Sequence, residues 1–510
     1  MNYSKLTTPH LQATRDAYRR ALVALCVVLM IVVLFFTATT AMRLADGAAS
    51  VDNGDTASST TDLRLVALSD GLDSLGALFA GYQRITQHRG EPVYANTLKV
   101  DHCKFQSPPS SLLIFDVFPK YGSAAYKCDG DHESAFDVRR REASIWFGVV
   151  QWSAVIGTIA IVVWMLHLAL LDGSLARASH IEPWHRAGVA AAATCLCLTF
   201  YPLTSALTRG DGIGQVQVLL NLLLAAALLL YMRGKSGWAG ALIGLCCVFK
   251  PQYAVVLLWG LHRRDWRLSA GLAGVAVAAN LLALWRFGLA VHIEYLDFAR
   301  GLVRHGEAYW ANQSVNGILN RLMMTANPLQ WATAEFPTVT PPAYAHPSDI
   351  TFAWDLNGFP PYHPVVYWGT LLSGLAFIVM ALRKAPGVRT GANAALDLGF
   401  VFMAVTMASP IAWQHHFGAF TAVFALALAA ISRSGPKSTA MLWLLGLIYL
   451  LMTCTILRAD LLVSNRWLGL GASTFWLGAF IFYVVVLKLR EGRRAASAVK
   501  SPNLRASYQS

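Results

Sequence analysis

Residues 237–261 read GWAGALIGLCCVFKPQYAVVLLWGL, two apolar runs, 237 to 249 and 251 to 261, joined at Lys250-Pro251. Neither run alone can cross a hydrocarbon core, which needs about 20 helical residues for about 30 Å. Proline cannot continue a helix, so the chain breaks at this point. From the basic Arg233 to Lys250 the chain covers about 25 Å at the helical rise, and a reversal there presents the ammonium near the far leaflet. A charge inside such a stretch is costly and is by default a functional candidate. Lys250 either holds a phosphate by point charge, or snorkels to headgroups or pairs with a structural carboxylate.

The rest of the chain is of the same kind. Its 510 residues are 55% hydrophobic and 14% charged, with a mean hydropathy of +0.46. A soluble domain cannot solvate that much apolar surface, so a soluble enzyme is excluded and the fold class is an all-α polytopic membrane protein. Runs long enough to span occur near 21 to 44, 145 to 171, 187 to 208, 213 to 232, 268 to 290, 363 to 382, 394 to 412, 416 to 432, 438 to 457 and 466 to 487. With the two runs flanking Lys250, they predict about twelve transmembrane or half-spanning helices.

Lys and Arg gather in alternate connections: Arg15, Arg19 and Arg20, then Arg233 and Lys235, Arg263, Arg264 and Arg267, Arg383 and Lys384, and Arg433 and Lys437. Basic short loops stay in the cytoplasm, so both termini are expected there. The chain divides into a cytoplasmic segment 1–20, a transmembrane domain 21–490 with outer loops 45–143 and 291–362, and a basic, disordered cytoplasmic tail 491–510. The net charge of +13 then answers to orientation against anionic lipid, with no nucleic-acid partner implied. The first span exceeds a signal-peptide core and reads as an anchor.

The first outer loop reads as a built structure. Residues 45–61 are small and polar, a connector. Leu65, Val66, Leu68, Leu72, Leu75, Leu78 and Phe79 then recur at helical spacing, predicting an amphipathic helix along the outer interface. Pro108-Pro109 stops any helix, and Leu112 to Phe115 form a short apolar stretch that can dip into the interface. Cys103 and Cys128 share this loop, where an oxidising compartment permits a disulfide. The other six cysteines lie in spans, as small hydrophobes. Asp129-Gly130-Asp131 imitates a metal-binding pair only weakly, and no metal or cofactor is expected. The second outer segment predicts a helix near Gln313 to Met324, followed by a proline-rich stretch from Pro337 to Pro361.

Three more polar groups are candidates beside Lys250. Gln215, at a helix start, can bond substrate or neighbouring backbone. Asp70 and Asp73 precede apolar Leu75 to Ala80, where desolvation can raise a carboxylate pKa toward that of a general base. His415-His416 closes the run Ser409-Pro410-Ile411-Ala412-Trp413-Gln414-His415-His416. Adjacent helical side chains point about 100° apart, which suits phosphate contact better than one shared metal.

These pieces occur together, in order, in a known family. The chain resembles glycosyltransferase family 87, membrane enzymes of the GT-C fold dependent on polyprenol-phosphate mannose. The similarity covers most of residues 65 to 430 and rests on Gly214-Gln215-Val216-Gln217, Gly244 through Lys250-Pro251, Asn312-Gln313-Ser314-Val315-Asn316-Gly317, and Ser409 through His416. The resemblance implies a sugar, mannose in the family, carried by a polyprenyl-phosphate donor to a lipid or glycan acceptor at the outer (periplasmic) face of the bacterial cytoplasmic (inner) membrane, among membrane lipids. It implies Asp73 as catalytic base with Asp70 as its substitute, Lys250, His415 and His416 on the donor phosphate, and Gln215, Asn312 and Gln313 on the substrate. The sequence departs from the family pattern after the aspartate, where Gly76-Ala77 replaces a Val-Tyr, and before the prolines, where Gln106-Ser107 replaces a tyrosine. A transporter or flippase of lipid-linked glycans is the rival reading. It calls for internal repeats, and none is found.

Overall fold

The computed structural model describes residues 73–99, 105–117, 138–171, 215–307, 312–323, 360, 362–383, 391–432, 439–453 and 468–500. Asp70, Cys103, Cys128, the expected spans 21–44 and 187–208, and the proline-rich stretch apart from Pro360 lie outside them. In chain order the helices are α1 (Asp73–Gln87), α2 (Val93–Lys99), α3 (Leu113–Val117), α4 (Val138–Leu171), α5 (Gln217–Met232), α6 (Ser236–Phe249), α7 (Val255–His262), α8 (Trp266–Phe287), α9 (Leu289–His305), α10 (Val315–Met323), α11 (Pro364–Leu382), α12 (Gly391–Ala408), α13 (Phe420–Ser432), α14 (Thr439–Thr453) and α15 (Thr474–Lys500). Short 3-10 turns stand at Pro109–Leu112, Pro251–Ala254, Gln414–Ala419 and Leu468–Ser473. Among the described residues five helical stretches are long and apolar enough to cross a membrane: Val149–Leu170, Trp266–Phe287, Pro364–Leu382, Gly391–Ala408 and Gln414–Ser432. Shorter apolar helices cover Gln217–Met232, Ser236–Phe249 and Thr439–Met452. The protein is an all-α membrane protein.

The break at Lys250 is a reversal. Lys250 leaves the helix at φ −133° and ψ 87°, and Pro251 opens the 3-10 turn that starts the return limb α7. A turn at Arg263–Asp265 then sends α8 out beside α6. The two run parallel, because contact partners climb together: Gly240 faces Leu268 and Leu272, while Gly244 faces Leu272 and Val275. At the helical rise α6 is about 21 Å long and α8 about 33 Å. Lys250 therefore stands at a tip part-way along a full span.

Glycine makes that pairing possible. Lipid tails are as apolar as leucine, so helices in a bilayer associate through close packing, and small residues let backbones meet. A Cβ on Gly244 would lie 2.7 Å from the Leu272 carbonyl oxygen, an atom with nowhere to go. Gly244→Leu is accordingly expected to part α6 from α8 and to cost at least the about 1–3 kcal/mol of an overpacked core. The measurement is thermal unfolding with size-exclusion profile in detergent. An unchanged melting temperature and a monodisperse peak would contradict the close approach.

Helices α12 and α13 form the centre of the bundle, buried along nearly their whole lengths, while α8 and α11 turn Leu281, Leu282, Trp285, Leu372 and Leu375 outward, as lipid-facing helices do. Near the start of α12, Asp397 is buried between Arg263 from the α7–α8 turn and Arg490 of α15, the latter at 2.5 Å. Arg490 also donates to the carbonyls of Ala381 and Arg383 at the end of α11. A carboxylate this deep is tolerated because it is paired. The knot fixes the base of the hairpin at the end of α12 opposite the Ser409–His416 run.

Two local expectations change. Residues 491–500, expected to be disordered, continue α15 to Lys500, and Ala495, Ala496 and Ala498 beside Arg and Lys are strong helix formers. The Leu112 to Phe115 stretch packs on protein rather than dipping into lipid: Leu112 is wholly buried, and the Phe115 ring lies 4.7 Å from that of Phe79 on α1.

Candidate active site

The tip of the hairpin is where distant parts of the chain meet. Tyr253, one turn past Lys250, is buried edge-on against Phe402 of α12, its hydroxyl directed toward Thr406 and Gln217. Gln217 and Asn221 of α5 bond each other at 2.8 Å, and Asn221 fills the space over Gly418 in the 3-10 turn that carries the histidines. Gln215, just ahead of α5, accepts a hydrogen bond from Gln151 of α4 on its carbonyl at 3.0 Å. So α5, the Lys250 tip and the His415-His416 turn converge. The charge of Lys250 reaches both imidazoles, whose rings stand 4.4 Å apart and perpendicular.

The two histidines differ. The backbone N–H of Trp413 donates to His416 Nδ1 at 3.2 Å, and the His416 N–H donates to the Trp413 carbonyl at 2.8 Å, so His416 is stitched into its own turn. The His415 side chain makes no hydrogen bond among the described residues; it has the rings of Trp413 and His416 as neighbours. The Lys250 ammonium likewise makes no hydrogen bond or ion pair among the described residues, and it is half-buried. A half-buried cation without an anion is costly. The arrangement is suited to receive one.

The turn is braced from behind by the Asn312–Gly317 element. Asn312, with no exposed surface, donates through Nδ2 to the carbonyls of Glu307 and Pro410 and accepts on Oδ1 from the Ala412 N–H at 3.0 Å. The Gln313 N–H donates to the Ala412 carbonyl, and Gln313 Oε1 accepts from the Trp476 N–H. Ser314 Oγ donates to Pro410. Asn312 and Gln313, expected on the substrate, thus spend these groups on the protein and bear on the site through the turn they hold. Asn312→Ala would strand the Ala412 N–H and the Glu307 carbonyl, at about 1–3 kcal/mol for each buried group left unmade. It is expected to lower the melting temperature and to speed amide exchange across residues 409–416. Unchanged exchange there would show that the brace is not Asn312.

Sequence reading missed Glu307. It is 2% exposed, and Oε2 accepts from the Trp413 indole N–H at 2.6 Å, which sets the indole beside His415. The signal was present: an acidic residue directly after Gly306, ahead of Ala308-Tyr309-Trp310 and six residues before Gln313.

The segment between residues 73 and 117, the first expected outer loop, docks onto the same region. Asp73 is the first residue of α1, whose Ala77, Leu78 and Phe79 are buried in the loop's core. Ser110 Oγ, in the turn Pro109–Leu112, donates to the Val248 carbonyl, two residues before Lys250. Arg286 at the end of α8 pairs with Asp116, which also accepts from the Tyr82 hydroxyl of α1 at 2.9 Å. Glu294 of α9 accepts the N–H groups of Val93, Tyr94 and Ala95, closing the start of α2 from 200 residues away. Burial holds the Tyr94 hydroxyl well above its ordinary range, so it stays a donor, to Ser107. The helix that Asp73 opens is thereby held against the Lys250 end of the bundle.

Among the described residues, then, a lysine without an ion pair and two imidazoles meet at a helix break of an all-helical membrane body, and the class of the protein is given by comparison with known families. The model of glycosyltransferase family 87 matches residues 143–410, and the chain belongs to that family: it is a membrane glycosyltransferase. The matched range includes Gln215, Lys250, Asn312 and Gln313; Asp73 precedes it and His415-His416 follows it. No curated protein and no solved structure matches the chain.

Proposed function

We propose that this glycosyltransferase moves a hexose, mannose being the family's sugar, from a polyprenyl-phosphate donor to the hydroxyl of a lipid or glycan acceptor at the outer face of the bacterial cytoplasmic membrane. The observation that carries the reading is the cluster of Lys250, His415 and His416, in which the ammonium has no anion among the described residues. A lipid monophosphate supplies that anion, and its polyprenyl tail stays in the bilayer that flanks α8 and α11. Nucleotide-activated sugars are not supplied outside the membrane, so an activated sugar reaches that face on a lipid.

In the proposed reaction the Asp73 carboxylate takes the proton of the acceptor hydroxyl as its oxygen bonds to the anomeric carbon, from the face opposite the phosphate. The bond from that carbon to the phosphate oxygen breaks, configuration inverts, and polyprenyl phosphate leaves with the bonding pair. Lys250 and His415 stabilise the charge gathering on the leaving oxygens, the task at which pre-positioned donors are strongest in a site that excludes water. His416 holds the turn, and in this reading Gln215 meets the sugar or headgroup.

The test is direct. Purified protein in lipid nanodiscs, given radiolabelled polyprenyl-phosphate mannose and a bacterial lipid extract, is expected to move label into a new lipid or glycan product. Label crossing the bilayer with its donor bond intact would make the protein a carrier, and the reading would fall.

A further inference from the structure

Helix α9 has an outer face that none of this uses. It is bounded by two glycines in the left-handed region, Gly288 at φ 85° and Gly306 at φ 70°, so the chain bends sharply out of α8 and again at its end. Its 17 residues contain no buried side chain. Glu294, Tyr295 and Phe298 face the first outer loop, with Tyr295 and Phe298 against the Tyr94 ring. The opposite side presents Leu289, Ile293, Leu296 and Val303, spaced as one stripe of a helix and all strongly exposed. Arg300 and Arg304 share that side near the C-terminal end, Arg300 paired with Asp297 and Arg304 lying over the Tyr362 ring.

The stripe does not stand alone. It continues the lipid-facing surface of α8, where Leu281, Leu282 and Trp285 are exposed immediately before the bend. Tryptophan concentrates at the level where acyl chains meet headgroups, so Trp285 marks the height at which α9 begins. An amphipathic helix leaving a span at that height buries its apolar face in the headgroup–acyl boundary, and long basic side chains reach from there to the phosphates.

We propose that α9 is an in-plane membrane-surface helix, its Leu289, Ile293 and Leu296 side chains seated in the outermost acyl layer of the same leaflet that α8 enters. Through Glu294 it ties the first outer loop, and with it the helix that Asp73 opens, to the height of the bilayer surface. The loop is then positioned relative to the lipid from two sides, by Glu294 on α2 and by Arg286 on Asp116.

The test uses the full chain in nanodiscs of phosphatidylcholine and phosphatidylglycerol, with an environment-sensitive fluorescent amino acid in place of Ile293 or Leu296 and, in a separate protein, of Asp297. At Ile293 and Leu296, lipids brominated near the headgroup end of the acyl chain are expected to quench more than half of the emission while aqueous iodide has little effect; at Asp297, iodide is expected to quench. Iodide quenching at Ile293 and Leu296 would place the stripe in water and overturn the proposal. Protection from both quenchers would overturn it too, by showing the face covered by a second copy or another protein. The readout is fluorescence, so loss of transfer activity leaves it interpretable.

Discussion

Asp73→Asn is expected to remove transfer while leaving donor binding close to normal. The amide keeps the size and polarity of the carboxylate but cannot accept the acceptor's proton, and a positioned base contributes about 10²–10⁴ in rate. The loss is predicted in kcat, measured by single-turnover transfer of labelled donor in nanodiscs, with donor affinity followed separately by equilibrium binding. Because Asp73 opens α1 and the buried side of that helix lies further along, at Ala77 to Tyr82, the melting temperature should hold. Undiminished turnover would remove Asp73 from the mechanism and return the role of base to Asp70.

Lys250→Met is expected to act the other way, on the donor. Methionine matches the lysine stem in length and flexibility and deletes only the charge. In the wild type the ammonium has no hydrogen bond or ion pair among the described residues, so its removal strands no described group. The fold should therefore be unharmed, and relief of a half-buried cation can raise the melting temperature. Donor binding should weaken and transfer should fall by about 10²–10³, the loss seen when a pre-positioned donor to a developing oxyanion is deleted. Lys250→Arg restores charge but not the compact point donor, and only partial recovery is expected. Full activity in Lys250→Met with unchanged donor affinity would make the lysine a headgroup anchor. The pair of variants is diagnostic: the aspartate change spares binding and the lysine change does not.

Much of this architecture is legible in the amino-acid order because the bilayer punishes every alternative. Among the described residues five spans stand where about 20 apolar residues run together, and Lys250-Pro251 announces its break because a charge followed by a proline cannot sit in a continuing membrane helix. Helix α10 was expected at 313 to 324 and is found at Val315–Met323. Helix α9 went unread, although Leu289, Ile293 and Leu296 carry the spacing, because its stripe is interrupted by charges and follows directly on a span. Glu307 went unread for another reason: a lone carboxylate gains meaning only when the indole it holds is known, and Trp413 is 106 residues away.

Composition and periodicity by themselves determined a polytopic all-α membrane protein, and the order of its motifs pointed to the transferase family to which it belongs. Which polar residues face a ligand, and which hold the protein together, was decided only in three dimensions. In the sequence Asn312 and His415 look alike, each a polar residue within a short motif. Asn312 is consumed by the carbonyls and amide of the neighbouring chain, whereas His415 makes no side-chain hydrogen bond among the described residues, beside a lysine in the same condition. The reason is physical: a polar group in a dry interior must be paired, and the identity of its partner depends on which distant backbone folding brings beside it.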